Sequence, residues 1–168
     1  MENRKALIYS AVVLAVVVVL YYLKQKTTDS RAATAAAIKA APWYKSIIQE
    51  ADNFNIPRPR VAAIVAVESG GNPGAKGAAG EYGLMQIMPQ AHKAVQDNWA
   101  RLVTFSWVHS DAELFKPEYN ILVGANYLAL LKKQFGGNLD KATEAYNDGG
   151  GYGTDYLDKV KAFEPYFS

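Results

Sequence analysis

The chain has no cysteine. Disulfide scaffolds, zinc–thiolate centres and thiol nucleophiles are therefore excluded. Histidine is almost as scarce: His92 and His109 stand alone, without the spacing that metal ligation needs. Both are expected at the surface, and no metal or other cofactor is expected. Strand-like alternation is nearly lacking, and no internal repeat is present. No basic patch interleaved with aromatics occurs, so a nucleic-acid partner is not expected. The net charge of +2 is unevenly spread. Residues 1–42 hold six Lys or Arg against two Asp or Glu, and residues 43–168 hold twelve against fourteen. The basic excess thus belongs to the N-terminal part alone.

What is present begins with a long apolar run. Ala6 to Leu23 carries no charge; as a helix it spans about 27 Å, near the thickness of a bilayer's hydrocarbon core. Tyr9, Tyr21 and Tyr22 stand near its ends, where aromatic belts form. A cleavable signal has a shorter core and a small-residue site close behind, whereas Tyr21-Tyr22-Leu23-Lys24 follows here. The reading is a short flank at 1–5, a single transmembrane helix over 6–23, a linker over 24–41 and one globular domain over 42–168. The linker is richest in Ala and Thr from Thr27 to Ala41; its Ala run is compatible with a helix that has no strong apolar face, and extended it would reach about 50 Å. Arg4 and Lys5 flank one side and Lys24, Lys26 and Arg31 the other, so charge does not orient the span.

Within residues 42–168 the pattern is mainly α. Pro42 opens a helix with Trp43, Ile47, Ile48 and Ala51 inward, ending near Asn53. A turn at Asn55–Pro59 precedes a second helix that ends before Gly70 and Gly71. Gly70 to Gly80 holds five glycines and reads as a loop over a groove. Ala91 to Trp99 is helical, and Arg101 to His109 is ambiguous. Pro117 to Phe135 is the clearest helix, with proline in its first turn and Ile121, Ala125, Leu128, Leu131 and Phe135 inward. Shorter helices follow from Asn138 or Leu139 and from Asp155 to Phe163.

One residue breaks the pattern. Val61, Ile64, Val65 and Glu68 fall at i, i+3, i+4 and i+7, on one helical face. The last of them is a carboxylate where an apolar side chain is expected. Glu is rarely buried without a partner, and in an apolar setting its pKa rises toward that of a general acid. The other readings are a Glu in water past the helix end and a structural ion pair.

Three further segments stand in order behind it: Gly83-Leu84-Met85-Gln86-Ile87-Met88-Pro89, then Pro117-Glu118-Tyr119-Asn120-Ile121 with Gly124 and Tyr127-Leu128, then Ala145-Tyr146-Asn147. With Glu68-Ser69-Gly70-Gly71, this series resembles the catalytic domain of the soluble lytic transglycosylases, in the goose-type lysozyme superfamily, over roughly residues 43 to 163. The resemblance implies a lysozyme-like helical domain with at most a minimal β element. It also implies cleavage of the β-1,4 bond from N-acetylmuramic acid to N-acetylglucosamine in peptidoglycan, leaving a 1,6-anhydro ring. Glu68 matches the single catalytic acid. Gln86 suits the sugars' acetamido groups. Ser69 holds Glu68 or substrate, or simply ends the helix. Met85 is an apolar wall of the site or a core residue. Tyr146 hydrogen-bonds Glu68 and favours its neutral form, or is a core aromatic; Asn147 binds an acetamido group or caps its helix.

The chain departs from the family at Asp148-Gly149-Gly150-Gly151, where small residues and a proline are usual, and at Glu81. These two extra carboxylates either lie in solvent or position a water. A lysozyme-type hydrolase on the same fold and a non-catalytic wall-binding protein are the alternatives. The expected location is the peptidoglycan side of a membrane, either a bacterial inner membrane facing the periplasm or a phage virion membrane. The expected partners are glycan strands, the bilayer and components of an envelope machine or virion.

Overall fold

The computed structural model describes the backbone of residues 2–102, 109–148 and 154–168, and the side chains of 12–100, 109–147 and 155–168. Contacts divide the chain into two compact units, Met1–Ala33 and Thr34–Ser168. Helix α1 is Glu2–Ala40. No Gly or Pro lies between Lys24 and Ala41, and alanine is the strongest helix former. The threonines fold their hydroxyls back onto the helix: Thr27 Oγ1 donates to the Leu23 carbonyl at 2.9 Å and Thr28 Oγ1 to that of Lys24 at 3.0 Å. Residues 24–40 of the expected linker are helical.

The expected transmembrane span needs correction: among the described residues, no helix is long and apolar enough to cross a membrane. The described side chains of the expected span run from Val12 to Leu23. Beyond it α1 continues through Lys24, Lys26, Asp29 and Arg31. Residues 6–11 of the expected span lie outside the described side chains.

In the second unit, α2 (Tyr44–Asn53) buries Ile47 and Ala51 fully, and Trp43 stands buried just before it. Helix α3 (Arg58–Ser69) opens behind Pro57 with Pro59 in its first turn, and Gly70 at φ +61° closes it. Only glycine adopts that left-handed backbone without cost. Val61, Ile64 and Val65 are buried as expected, but so are Ala62, Ala63 and Ala66. The apolar stripe thus understates the burial of α3. This helix packs on α2, on α7 (Thr154–Phe163) and on the short 3-10 turn Glu164–Tyr166, so its surface is enclosed from several sides. Helix α5 (Pro117–Gln134) is the second strut, packed on α2, α4 (Pro89–Leu102) and α6 (Leu139–Asp148).

Between α3 and α4 the chain forms no helix. Two isolated antiparallel bridges, Lys76 with Tyr82 and Tyr82 with Ile87, are the β structure among the described residues. This matches the mainly α architecture with a minimal β element. The turn at Gly83–Met85 is fastened to α5 by Asn120, which is fully buried. Its Oδ1 accepts from Met85 N–H at 2.8 Å, and its Nδ2 donates to the carbonyls of Tyr82 and Leu114, each at 2.8 Å. Gly83 lies directly against this brace at φ +72°. A Cβ there would meet the Leu114 carbonyl oxygen at 2.3 Å and Asn120 Nδ2 at 2.4 Å. Gly83→Ala is therefore expected to cost roughly 2–4 kcal/mol, from overpacking plus left-handed strain, read as a lowered urea midpoint.

His92 is not at the surface as expected: it is 1 % exposed. Nδ1 lies 2.7 Å from Asp111 Oδ1, and since a carboxylate only accepts, Nδ1 donates. Nε2 lies 2.8 Å from the Tyr119 hydroxyl and 2.8 Å from Gln96 Nε2. This network ties α4 to the 3-10 turn Asp111–Phe115 and to α5. His109 is partly buried and pairs with Glu113. Most of the ambiguous stretch Arg101 to His109, Phe105, Trp107 and Val108 included, lies outside the described residues.

Candidate active site

A cavity of about 480 Å³ opens at the C-terminal end of α3. Its lining comes from five places: Glu68 from α3; Ala79, Glu81, Gln86, Ile87 and Met88 from the segment between α3 and α4; Gln90 and Ala91 from α4; Tyr127 from α5; and Tyr146 and Asn147 from α6. The helix end, the loop expected over a groove and the Ala-Tyr-Asn segment therefore do meet. The volume is that of a small-ligand site.

Glu68 is its strongly perturbed carboxyl. Its pKa is pushed from 4.5 up to about 7. Burial is the main cause, the Tyr156 hydroxyl opposes it, and the charge of Glu81 adds to it. Tyr156, on α7 and 6 % exposed, donates to Glu68 Oε1 at 2.5 Å. Burial and the nearby Glu68 charge hold the Tyr156 pKa well above its ordinary value. The hydroxyl thus stays protonated and is a permanent donor. No described protein group bonds Oε2, which leaves it for a ligand.

The hydrogen bond expected from Tyr146 is thus made by Tyr156. Tyr146 lines the cavity, but its hydroxyl donates to the Met85 carbonyl at 2.9 Å. The expected effect was also reversed in sign, because a donor to a carboxylate favours the ionised form. Tyr156 had a signal of its own in the sequence: with Val160 it makes the buried i, i+4 face of α7. A buried tyrosine hydroxyl needs an acceptor, as a buried Glu needs a donor.

The other expected site residues divide. Gln86, at φ +46°, faces the cavity. Its amide N–H groups are held by the carbonyls of Gly83 at 2.8 Å and Ala75 at 3.3 Å, so Oε1 is the atom left to accept from a ligand. Asn147 lines the cavity at the end of α6. Ser69 does not line it: its hydroxyl donates to the Leu84 carbonyl at 2.7 Å and accepts from Gly71 N–H at 3.2 Å. It fastens the helix end to the Gly83–Met85 turn. Met85 is fully buried with its sulfur against Gly124, where a Cβ would meet it at 2.4 Å; it packs two elements together and forms no wall of the cavity. Glu81 is partly buried and lines the cavity, whereas the side chain of Asp148 lies outside the described residues.

This arrangement offers one carboxyl that exchanges its proton near neutral pH, held by a tyrosine and set in a groove of amide and aromatic groups. The chain is similar to several known proteins. The chain is 36% identical over 96 residues to the soluble lytic murein transglycosylase of Escherichia coli K12, an alignment covering 57% of this chain and 14% of that protein. It is 40% identical over 96 residues to the endo-type membrane-bound lytic murein transglycosylase A of Cronobacter sakazakii, covering 56% and 46%. It therefore spans less than half the length of either relative. The crystal structure of the 70 kDa soluble lytic transglycosylase from Escherichia coli superposes with a TM-score of 0.65 at 26% identity, covering 73% of this chain and 23% of that one. The Transglycosylase SLT domain model matches residues 45–166, which contain α2 but for its first residue, α3 to α7 and the whole cavity lining, and the chain belongs to that family.

Proposed function

We propose that this chain is a peptidoglycan lytic transglycosylase that cleaves the β-1,4 bond from N-acetylmuramic acid to N-acetylglucosamine and leaves a 1,6-anhydro end. The observation that carries the reading is Glu68, a carboxyl at about 7 in the cavity. Protonated Glu68 donates to the glycosidic oxygen as the bond to the anomeric carbon breaks. The carboxylate left behind takes the proton of the sugar's own 6-hydroxyl, whose oxygen bonds to the anomeric carbon. The proton returns to Glu68, and no water is consumed. Most glycosidases use a second carboxylate to hold a water or form a covalent bond. Here the nucleophile is part of the substrate, which removes an entropic cost of up to about 7–11 kcal/mol. The substrate's N-acetyl carbonyl stabilises the developing cation. Gln86 Oε1 accepts from an acetamido N–H, Asn147 holds a second polar group, and Tyr127 and Tyr146 present rings to the sugars. The domain acts wherever it meets glycan strands in the cell envelope.

Mass spectrometry of digested peptidoglycan tests the reading. Anhydro products, one water lighter than hydrolysis products, are expected; reducing-end products alone would make the enzyme a lysozyme-type hydrolase. Tyr156→Phe tests the site from another side. Loss of the donor frees Glu68 to turn and removes a bond that favours its ionised form. The turnover rate is expected to fall roughly tenfold with KM little changed, and the alkaline limb of the pH profile to move upward.

A further inference from the structure

The reaction as written needs one carboxylate, yet Glu81 is a second in the same cavity. The local fold explains why its partly buried side chain stays at the cavity wall. Residues 77–81 close on themselves: Gly77 N–H donates to the Glu81 carbonyl at 2.9 Å, and Gly80 N–H to that of Gly77 at 3.3 Å. The Glu81 side chain turns back over this loop, and Oε2 accepts from Ala79 N–H at 3.0 Å. The room it fills exists because residue 77 is glycine. A Cβ there would lie 2.0 Å from Glu81 Oε2 and 3.0 Å from Gln86 Oε1. A carboxylate held at one oxygen and packed against a glycine does not swing out to water as an ordinary loop Glu does.

We propose that Glu81 is a positioning residue that keeps the proton on Glu68, its fixed charge making a second carboxylate in this cavity unfavourable. The inference rests on the reading of Glu68 as the acid. Among the described residues, the titratable groups around Glu68 are Tyr156 from α7, Tyr146 from α6, Tyr127 from α5 and Glu81 from the loop. Burial raises the pKa of all three tyrosines and keeps them neutral, and no Lys or Arg is among the described lining residues. Glu81 is therefore the other carboxyl group that Glu68 meets in the cavity, and two like charges in a partly desolvated cavity oppose each other. The upward influence of Glu81 on Glu68 has this sign.

Carbon-13 titration of the Glu68 carboxyl, in the wild-type protein and in Glu81→Gln, reads the effect without substrate. The midpoint is expected about half a pH unit lower in the variant, and an unmoved midpoint overturns the proposal. Gly77→Ala, which displaces the carboxylate instead of removing it, is expected to shift the midpoint the same way. In catalysis, the ratio of wild-type to Glu81→Gln kcat/KM on peptidoglycan is expected to be about threefold larger at pH 8 than at pH 5. An equal loss at every pH with a lowered Tm would reduce Glu81 to a staple of its turn and also overturn the proposal. A wild-type protein that cleaves no peptidoglycan would instead sink the reading of Glu68 as the acid, while the titration still decides what Glu81 does to it.

Discussion

Glu68→Gln is expected to lose at least about 100-fold in peptidoglycan cleavage, the lower range for removal of a general acid–base, and to gain stability at alkaline pH. The two effects have one cause. Folding places Glu68 where its charge is poorly solvated, so its pKa rises from 4.5 to about 7. Between those values the unfolded chain releases the proton and the folded chain keeps it. Ionisation then favours unfolding, and the wild-type protein loses stability as pH climbs through that window. Below pH 4.5 the carboxyl is protonated in both states and contributes no such loss. The full penalty, about 3 kcal/mol, is present above pH 7. Gln cannot ionise and still offers an oxygen to the Tyr156 hydroxyl. Urea unfolding of both proteins at pH 4 and pH 8 is the measurement. Near-equal midpoints at pH 4 and a clearly higher midpoint for the variant at pH 8 are expected. A difference that does not grow with pH would mean that Glu68 is solvated in the fold.

Arg60→Met is expected to lower stability by about 3 kcal/mol and Tm by on the order of 10 °C. Arg60 is 5 % exposed in the first turns of α3. Its guanidinium donates to Glu164 Oε1 at 2.5 Å, to the Thr143 hydroxyl at 2.7 Å and to Asp140 Oδ1 at 2.9 Å. It thus joins α3 to α6 and to the 3-10 turn behind α7. Asp140 and Glu164 keep partial access to water, and Lys161 still pairs with Asp140 at 2.6 Å. These carboxylates are rehydrated rather than stranded, which holds the loss toward the lower end for a broken buried pair. The fully buried Thr143 hydroxyl still donates to the Leu139 carbonyl at 2.8 Å but loses the donor it accepted from. Arg60→Lys is expected to fall between the two in thermal unfolding, because an ammonium cannot span three partners in one plane. A Tm unchanged in Arg60→Met would show that the three contacts contribute nothing net.

The helices were legible where local rules act alone. Pro117 in a first turn, the stripe Ile121–Leu128–Leu131 and the paired glycines at 136 and 137 mark α5 without any tertiary information, and the helix follows them. Gly70 ends α3 for the same local reason. Glu68 was legible as an anomaly, since a carboxylate at the end of an apolar run conflicts with its setting. Partners were less accessible. Tyr146 and Tyr156 are both tyrosines on short helices late in the chain; which of them reaches Glu68 depends on how α6 and α7 pack on α3. The same holds for Met85 and Ser69, whose motif is shared by residues that line the cavity and residues that brace its wall. His92 looked like a surface residue because the acceptor and donors that permit its burial, Asp111, Tyr119 and Gln96, lie on other turns or elements.

By itself the sequence determined the helical class, the ends of the main helices, the glycine-rich loop and the acid at the end of α3. These depend on neighbours within a few residues, through periodicity, capping and backbone freedom. Only the tertiary structure decided what surrounds that acid: Tyr156 as its donor, Glu81 turned inward over Gly77, Met85 in the core and Arg60 as a tie between helices. It also decided that α1 runs on as a helix to Ala40 and brings Ala35 and Ile38 into the core. Each of these rests on burial and on contacts between segments far apart in the chain, and a side chain's burial and partners are properties of the packed fold.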